Sequence, residues 1–405
     1  MTTRRNVSTF TRRLLFLAVP AVIAACARSE DGDGSAAPPP DERFTPQPEP
    51  PIPPPPPPPP SNGDGGDPFG VPVEDAGYEP CSPDAWCEVT VGDEPLPGLR
   101  SIWGFAANDV WFAGADGFTL HYDGSTFTRV ATGTKYALTS LWGAAPNDLW
   151  AVGVNSTILH WDGSIWSRSS KKFGVTLNRI WGRDSENVWA VGIPSTIFRG
   201  NGTLDGWSEV KLSSTASFNF ASAFGNAQEV WATYGEQTYY PGIARFGVDD
   251  PEPVPIRSTS STKVYPEAIW SSRPGEAWIA GWSNDTLHQT KTGIPAYIGT
   301  IIEVGKNASG TPVLKNTFTG GSHAQLRAIW GIPSEPAGSE EMWAVGEQAN
   351  VIHRKDGKWS LMRTARSGSI ANCSLRAVWA SSPSDVWAAG SCEGGRGVIL
   401  RRKVQ

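Results

Sequence analysis

One short motif, written seven times along the chain, limits the fold more than any other feature. The copies are LRSIWGFAANDVWFAG (99–114), LTSLWGAAPNDLWAVG (138–153), LNRIWGRDSENVWAVG (177–192), FASAFGNAQEVWATYG (220–235), AIWSSRPGEAWIAG (268–281), LRAIWGIPSEPAGSEEMWAVG (326–346) and LRAVWASSPSDVWAAG (375–390). Their first aromatics, from Trp103 and Trp142 through Phe224 to Trp330 and Trp379, recur about every 45 residues, the length of one four-stranded blade. Each unit divides in the same way: an apolar strand ending in Trp-Gly, a polar turn, a strand of the form V-W-A-V-G, a tight turn, a third strand such as TILHWDG (157–163), and a fourth that opens on Trp. Helical periodicity is absent. The pattern predicts an all-β chain, a seven-bladed β-propeller of four-stranded blades. Adjacent Ile-Trp and Val-Trp pairs suit inner strands covered on both faces by neighbouring blades.

Ring closure leaves its own mark. The last copy supplies three strands and runs out at VILRRKVQ (398–405), while Asp84-Ala85-Trp86-Cys87-Glu88-Val89-Thr90-Val91 matches the fourth strands DGWSEVKL (205–212) and DGKWSLM (356–362). The amino-terminal strand is therefore expected to complete the last blade, removing two sheet edges at once. This places the propeller at 78–405.

Residues 1–25 read as an export signal. Arg4, Arg5, Arg12 and Arg13 precede the apolar run from Leu14 to Ala25, which is too short to span a bilayer. Ile23-Ala24-Ala25-Cys26 resembles the bacterial lipobox, whose cysteine is lipidated after cleavage. By that resemblance Cys26 is the lipidation site, and Ala27 points toward the outer membrane. Residues 26–77, with eight consecutive prolines from Pro53 to Pro60, read as a tether with polyproline II character and too few apolar groups to fold. The membrane is expected as a partner through the lipid alone. A formal charge of −6, more negative once the arginine-bearing leader is removed, argues against nucleic acid.

The repeats resemble tectonin-like and BNR-like propeller repeats, and more closely the DVWAVG-repeat lipoproteins typical of myxobacteria. That resemblance covers about 99–402 and implies the fold, with little functional content. WD-type and kelch signatures are absent. Sialidase boxes do not match, and no three arginines on separate blades with a tyrosine nucleophile can be picked out.

Eighteen of the 19 tryptophans fall at repeated positions, which packing between blades explains; Trp282 alone stands outside the scheme. Two residues before each second tryptophan stands an acid or amide (Asp109, Asp148, Asn187, Glu229, Glu276, Glu341, Asp385), read here as turn chemistry. His121, His160 and His353 recur at one strand position, with Leu287-His288 aligned to it, and on separate blades they cannot converge on a metal. No metal site, cofactor or catalytic residue is expected: HExxH, G-x-S-x-G and phosphate-loop motifs are missing.

Four cysteines remain after lipidation, an even number compatible with disulfides in an exported chain. The favoured pairing joins Cys373 to Cys392 and Cys81 to Cys87, with a cross pairing that staples the chain ends as the rival. Departures from the repeat give the binding candidates: Tyr239 and Tyr240 in the blade-four loop, Trp282 and Asn284 in a blade-five loop. Between Leu287 and Gln325 an insertion of two outer strands is expected. The resulting expectation is a monomeric, lipid-anchored, non-catalytic scaffold for an envelope or cell-surface protein or glycan. The alternative is a surface glycoside hydrolase or lyase acting on polysaccharide, which would require a cluster of ionisable residues at the channel mouth.

Overall fold

The computed structural model describes residues 85–403 except for segments at 212–217, 237–241, 248–253, 257–263, 290–294, 311, 320–323, 337, 363 and 365–369. Cys26, Cys81, Tyr239 and Tyr240, together with the leader and tether, lie outside the described residues.

Seven four-stranded antiparallel sheets follow one another around the ring, each running from an innermost first strand to an outermost fourth. Blade one is typical, with Leu99–Ala106, Asp109–Gly114, Thr119–Tyr122 and Phe127–Arg129. Blade seven closes as expected: its outermost strand is Cys87–Glu88, paired antiparallel to Gly397–Lys403 with Cys87 opposite Arg401. Trp86, fully buried, bridges in parallel to Thr364 at the end of blade six, so the amino-terminal strand touches both of the last two blades.

The second-strand tryptophans fill the spaces between blades. Trp150, Trp189, Trp231, Trp343 and Trp387 are all 0% exposed. The first-strand aromatics point toward the axis and meet across it: Trp103 lies 5.9 Å from Trp330 in an edge contact, and Phe224 lies 5.8 Å from the same ring. Room for these rings explains the Trp-Gly pair. A methyl carbon at Gly104 would stand 2.5 Å from Trp379 of the preceding blade, and Gly182, Gly225 and Gly331 receive Trp142, Trp181 and Trp270 in the same manner.

Register reveals a second repeated device. In every blade the ladder between first and second strands slips at one shared position near the start of the first strand: Arg100, Thr139, Asn178, Ala221, Glu267, Arg327 or Arg376. Such a bulge leaves one residue unpaired and re-aims its side chain. In six blades the residue opposite the start of the bulge is the glycine that ends V-W-A-V-G. At Gly114 and Gly153 a side chain would run into the carbonyl oxygens of Gly98 and Ala137. Blade four places Tyr234 there instead.

Blade five departs from expectation. Trp282-Ser283-Asn284-Asp285 is not a loop but part of a second strand, Glu276–Gln289, that continues past the usual end at Gly281. The expected two-strand insertion is the blade's own third and fourth strands, Pro295–Lys306 and Pro312–Thr319. Residues 282–289 and 295–299 extend this hairpin past Gly281 as an arm with roughly 25 Å of strand. Leu287-His288 thus lies on the second strand, and Glu303 takes the third-strand position that holds histidine or arginine in the other blades.

Cys373 and Cys392 form a disulfide, which rules out the cross pairing of the chain ends. Cys87 is also disulfide-bonded.

Candidate functional site

Six of the seven acid or amide residues before the second tryptophans reach beyond their own turns, although Asn187 and Asp385 also bond Asp184 and Ser381 within theirs. Five acids pair with the third-strand residue opposite that tryptophan: Asp109 with His121 at 2.8 Å, Asp148 with His160 at 2.8 Å, Glu341 with His353 at 2.8 Å, Glu229 with Arg245 at 3.2 Å and Asp385 with Arg401 at 2.7 Å; at Glu276 the opposite residue is Glu303. Asn187 accepts from Arg199 at 2.9 Å. Turn chemistry belongs to other residues, such as Asp123 and Asp162, each of which accepts two backbone N–H groups in its third-to-fourth-strand loop. These hydrogen bonds hold both carboxyls below the ordinary carboxylate range. The repeated acids are thus a structural device lying out along the blades, away from the axis.

At the axis the bulges bring together residues that no linear motif contains. The seven first strands surround a channel whose lower end is closed by the meeting aromatic rings and whose interior cavity is about 70 Å3. Ser101 and Ser140 line it, their hydroxyls accepting the Leu141 and Ile180 amides of the next blade. Above it opens a mouth of about 250 Å3 lined by Arg100, Thr139, Asn178, Arg179, Ala221, Glu267, Arg327 and Arg376. All but Arg179 are bulge residues, and Arg179 follows the bulge of blade three. Asn178 and Thr139 spend their donors on the backbone carbonyls of Phe220 and Leu177, tying neighbouring blades together.

Four guanidinium groups from four separate blades therefore converge where none had been expected. Arg327 is neutralised: its Nε donates to Glu347 at 2.9 Å, Nη1 to Glu267 at 3.0 Å and Nη2 to Gln325 at 2.5 Å. Arg100, Arg179 and Arg376 have no hydrogen bond or ion pair among the described residues. Burial lowers the pKa of Arg179, opposed by the charge of Glu267. At Arg376 burial lowers it, and the charges of Arg327 and Arg100 add to the effect against Glu347 and Glu267. The open side of the mouth is a crowd of positive charge that an anion would relieve.

The signal that could have found this site is the Leu-Arg pair opening LRSIW, LRAIW and LRAVW. It is invisible without knowing that the second residue is bulged.

Of the expected binding residues, Trp282 stands beside the mouth, on the base of the blade-five arm. Its indole N–H donates to Glu267 at 3.2 Å, its ring stacks on Tyr265 with centroids 3.9 Å apart, and the edge of Tyr297 meets it at 5.0 Å. Asn284 is on the arm backbone, opposite Tyr297. Among the described residues no group of three or more His, Cys, Asp or Glu is placed to hold a metal ion.

No family model matches the chain, and no curated protein matches it. Solved structures show the fold. YCF48 bound to D1 peptide is 14% identical, superposes with a TM-score of 0.59 and covers 81% of this chain and 99% of its own. YCF48 from Cyanidioschyzon merolae is 14% identical with a TM-score of 0.58, over 79% of this chain and 98% of its own. The extracellular domain of the putative one component system BT4673 from B. thetaiotaomicron is 10% identical with a TM-score of 0.56, and the match covers 79% of this chain but 40% of that one. This chain is a seven-bladed propeller similar to these.

Proposed function

We propose that the chain is a non-catalytic, lipid-anchored propeller of the bacterial outer membrane that holds a partner protein by an acidic segment seated in the arginine-lined mouth. The observation that carries the reading is the convergence of Arg100, Arg179 and Arg376, from three blades, with no hydrogen-bonded or ion-paired carboxylate among the described residues. Guanidinium groups take carboxylates bidentately and remain charged at any working pH, so they bind well and exchange protons poorly. Glu267, the one acid lining the mouth among the described residues, is held by Arg327 and Trp282. A glycosidase needs a pair of carboxylates. A propeller of this fold is known bound to a peptide, which agrees with a protein ligand. The anchor rests on the lipobox at Cys26 and the polyproline tether on the sequence between 27 and 77.

The full chain, immobilised, is exposed to detergent-solubilised cell envelope beside the variant Arg100→Glu/Arg376→Glu. Both residues are solvent-accessible at the mouth and outside the packed core, and circular dichroism of the variant checks that its fold is kept. Capture of one defined protein by the native chain, lost in the variant and weakened by salt, supports the reading. Equal capture by both removes the mouth from consideration. Changing Cys26→Ser should move the protein from the membrane to the soluble fraction.

A further inference from the structure

The mouth is asymmetric. On one side stand the three uncompensated arginines; on the other Arg327 is clamped between Glu267 and Glu347, and Glu267 in turn accepts the Trp282 indole N–H. From that point an aromatic surface leads away up the base of the blade-five arm, through Trp282 and Tyr265 to Tyr297, whose side chain is 43% exposed.

No repeat-wide packing need accounts for these rings. The tryptophans that hold blades together sit at repeated positions, whereas Trp282 lies past the glycine where the other second strands end. Neither phenol of this group has a hydrogen-bond partner among the described residues. Tyr265 and Trp282 lie nearly parallel, at 12° between planes, and Tyr297 stands at 86° to Trp282, so the wall presents both a face and an edge.

We infer that the aromatic wall is a second subsite, and that the partner segment is a peptide in which acidic residues are interspersed with aromatic ones: carboxylates on Arg100, Arg179 and Arg376, and a neighbouring ring against Tyr297 and Trp282. This rests on the proposed anion-binding mouth and adds selectivity to it. An all-acidic ligand would bring charge against Glu267 and Glu347 on the clamped side of the mouth, where like charges repel. An aromatic residue brings no charge there and gains contact with the rings, since aromatic pairs favour offset and edge arrangements. Glu267 joins the halves: by holding both Arg327 and Trp282 it keeps the fourth arginine out of the anion site and fixes the inner end of the wall.

Three defined polymers test this at one ionic strength with the full chain: poly-L-glutamate, a random copolymer of glutamate and tyrosine, and polygalacturonate. The expected result is that the copolymer binds about tenfold more tightly than poly-L-glutamate, and that Tyr297→Ser, a change at an exposed ring, brings the two to the same affinity. Arg376→Glu should weaken both. If the native chain binds the two peptide polymers equally, the wall is no subsite and the inference falls while the mouth stands. If no polymer binds, or Arg376→Glu has no effect, the mouth reading fails and this inference with it. Tighter binding of polygalacturonate than of either peptide overturns the peptide assignment in favour of an acidic glycan.

Discussion

Arg401 lies over Trp387, its guanidinium carbon 4.1 Å from the ring centroid. The same side chain donates to Asp385 at 2.7 Å and to the Tyr122 hydroxyl of the next blade at 3.2 Å, so one group ties the second and third strands of blade seven to blade one. Related pairings recur at His121 on Trp111 and His160 on Trp150, each with ring centroids 4.3 Å apart.

Replacing Arg401 by Ala should therefore cost about 3 kcal/mol, because it leaves the carboxylate of Asp385, 8% exposed, buried without its charge partner. Urea denaturation gives the value. Asp385→Asn in the same background should recover part of the loss.

His353 carries a pH dependence. Burial lowers its pKa below the ordinary 6.5, only partly opposed by Glu341. The unfolded chain then binds the proton more readily than the folded one, so this residue's contribution is complete above the unfolded value and fades as pH falls through it. The urea midpoint should drop between about pH 7.5 and 5.5, and His353→Gln should make that drop smaller.

Gly153 is the residue opposite the start of the blade-two bulge, and a methyl there meets the carbonyl oxygen of Ala137. Gly153→Ala should destabilise by about 1 to 3 kcal/mol, as overpacking does. The same exchange at Gly133, which has open space around it but a φ of +69°, tests backbone conformation without crowding and should cost about 1 kcal/mol. Thermal denaturation of both variants separates the two effects.

Removal of the Cys373–Cys392 bridge, by Cys373→Ala with Cys392→Ala, should lower stability by about 2 to 4 kcal/mol. Cys373 is fully buried, so alanine rather than serine avoids adding an unsatisfied hydroxyl. A reduced native sample should shift by a comparable amount or more.

The ring, its blade count and its closure by Trp86-Cys87-Glu88 were legible because each depends on spacing and on apolar side chains, which a repeat displays openly. The blade-five arm was misread because Trp282 to Asp285 follow the glycine that normally ends a strand; nothing local distinguishes a turn there from a strand that keeps going. The repeated acids were misread for a related reason. Asp109 and Asp148 look like turn residues, yet their partners, His121 and His160, are a hairpin away. Arg100, Arg179, Arg327 and Arg376 stayed hidden because residues far apart in sequence converge only through a shared slip in register, and that slip is a property of the backbone.

Glu88 and Arg396 form an ion pair at 2.8 Å although 308 residues separate them along the chain. The outermost strand of blade seven thus takes its ladder partner from the opposite end of the described chain, while Trp86 beside it bridges to blade six. A ring without Gly397–Lys403 would leave Cys87–Glu88 with no ladder to join, so the beginning and the end of the domain depend on each other at one seam.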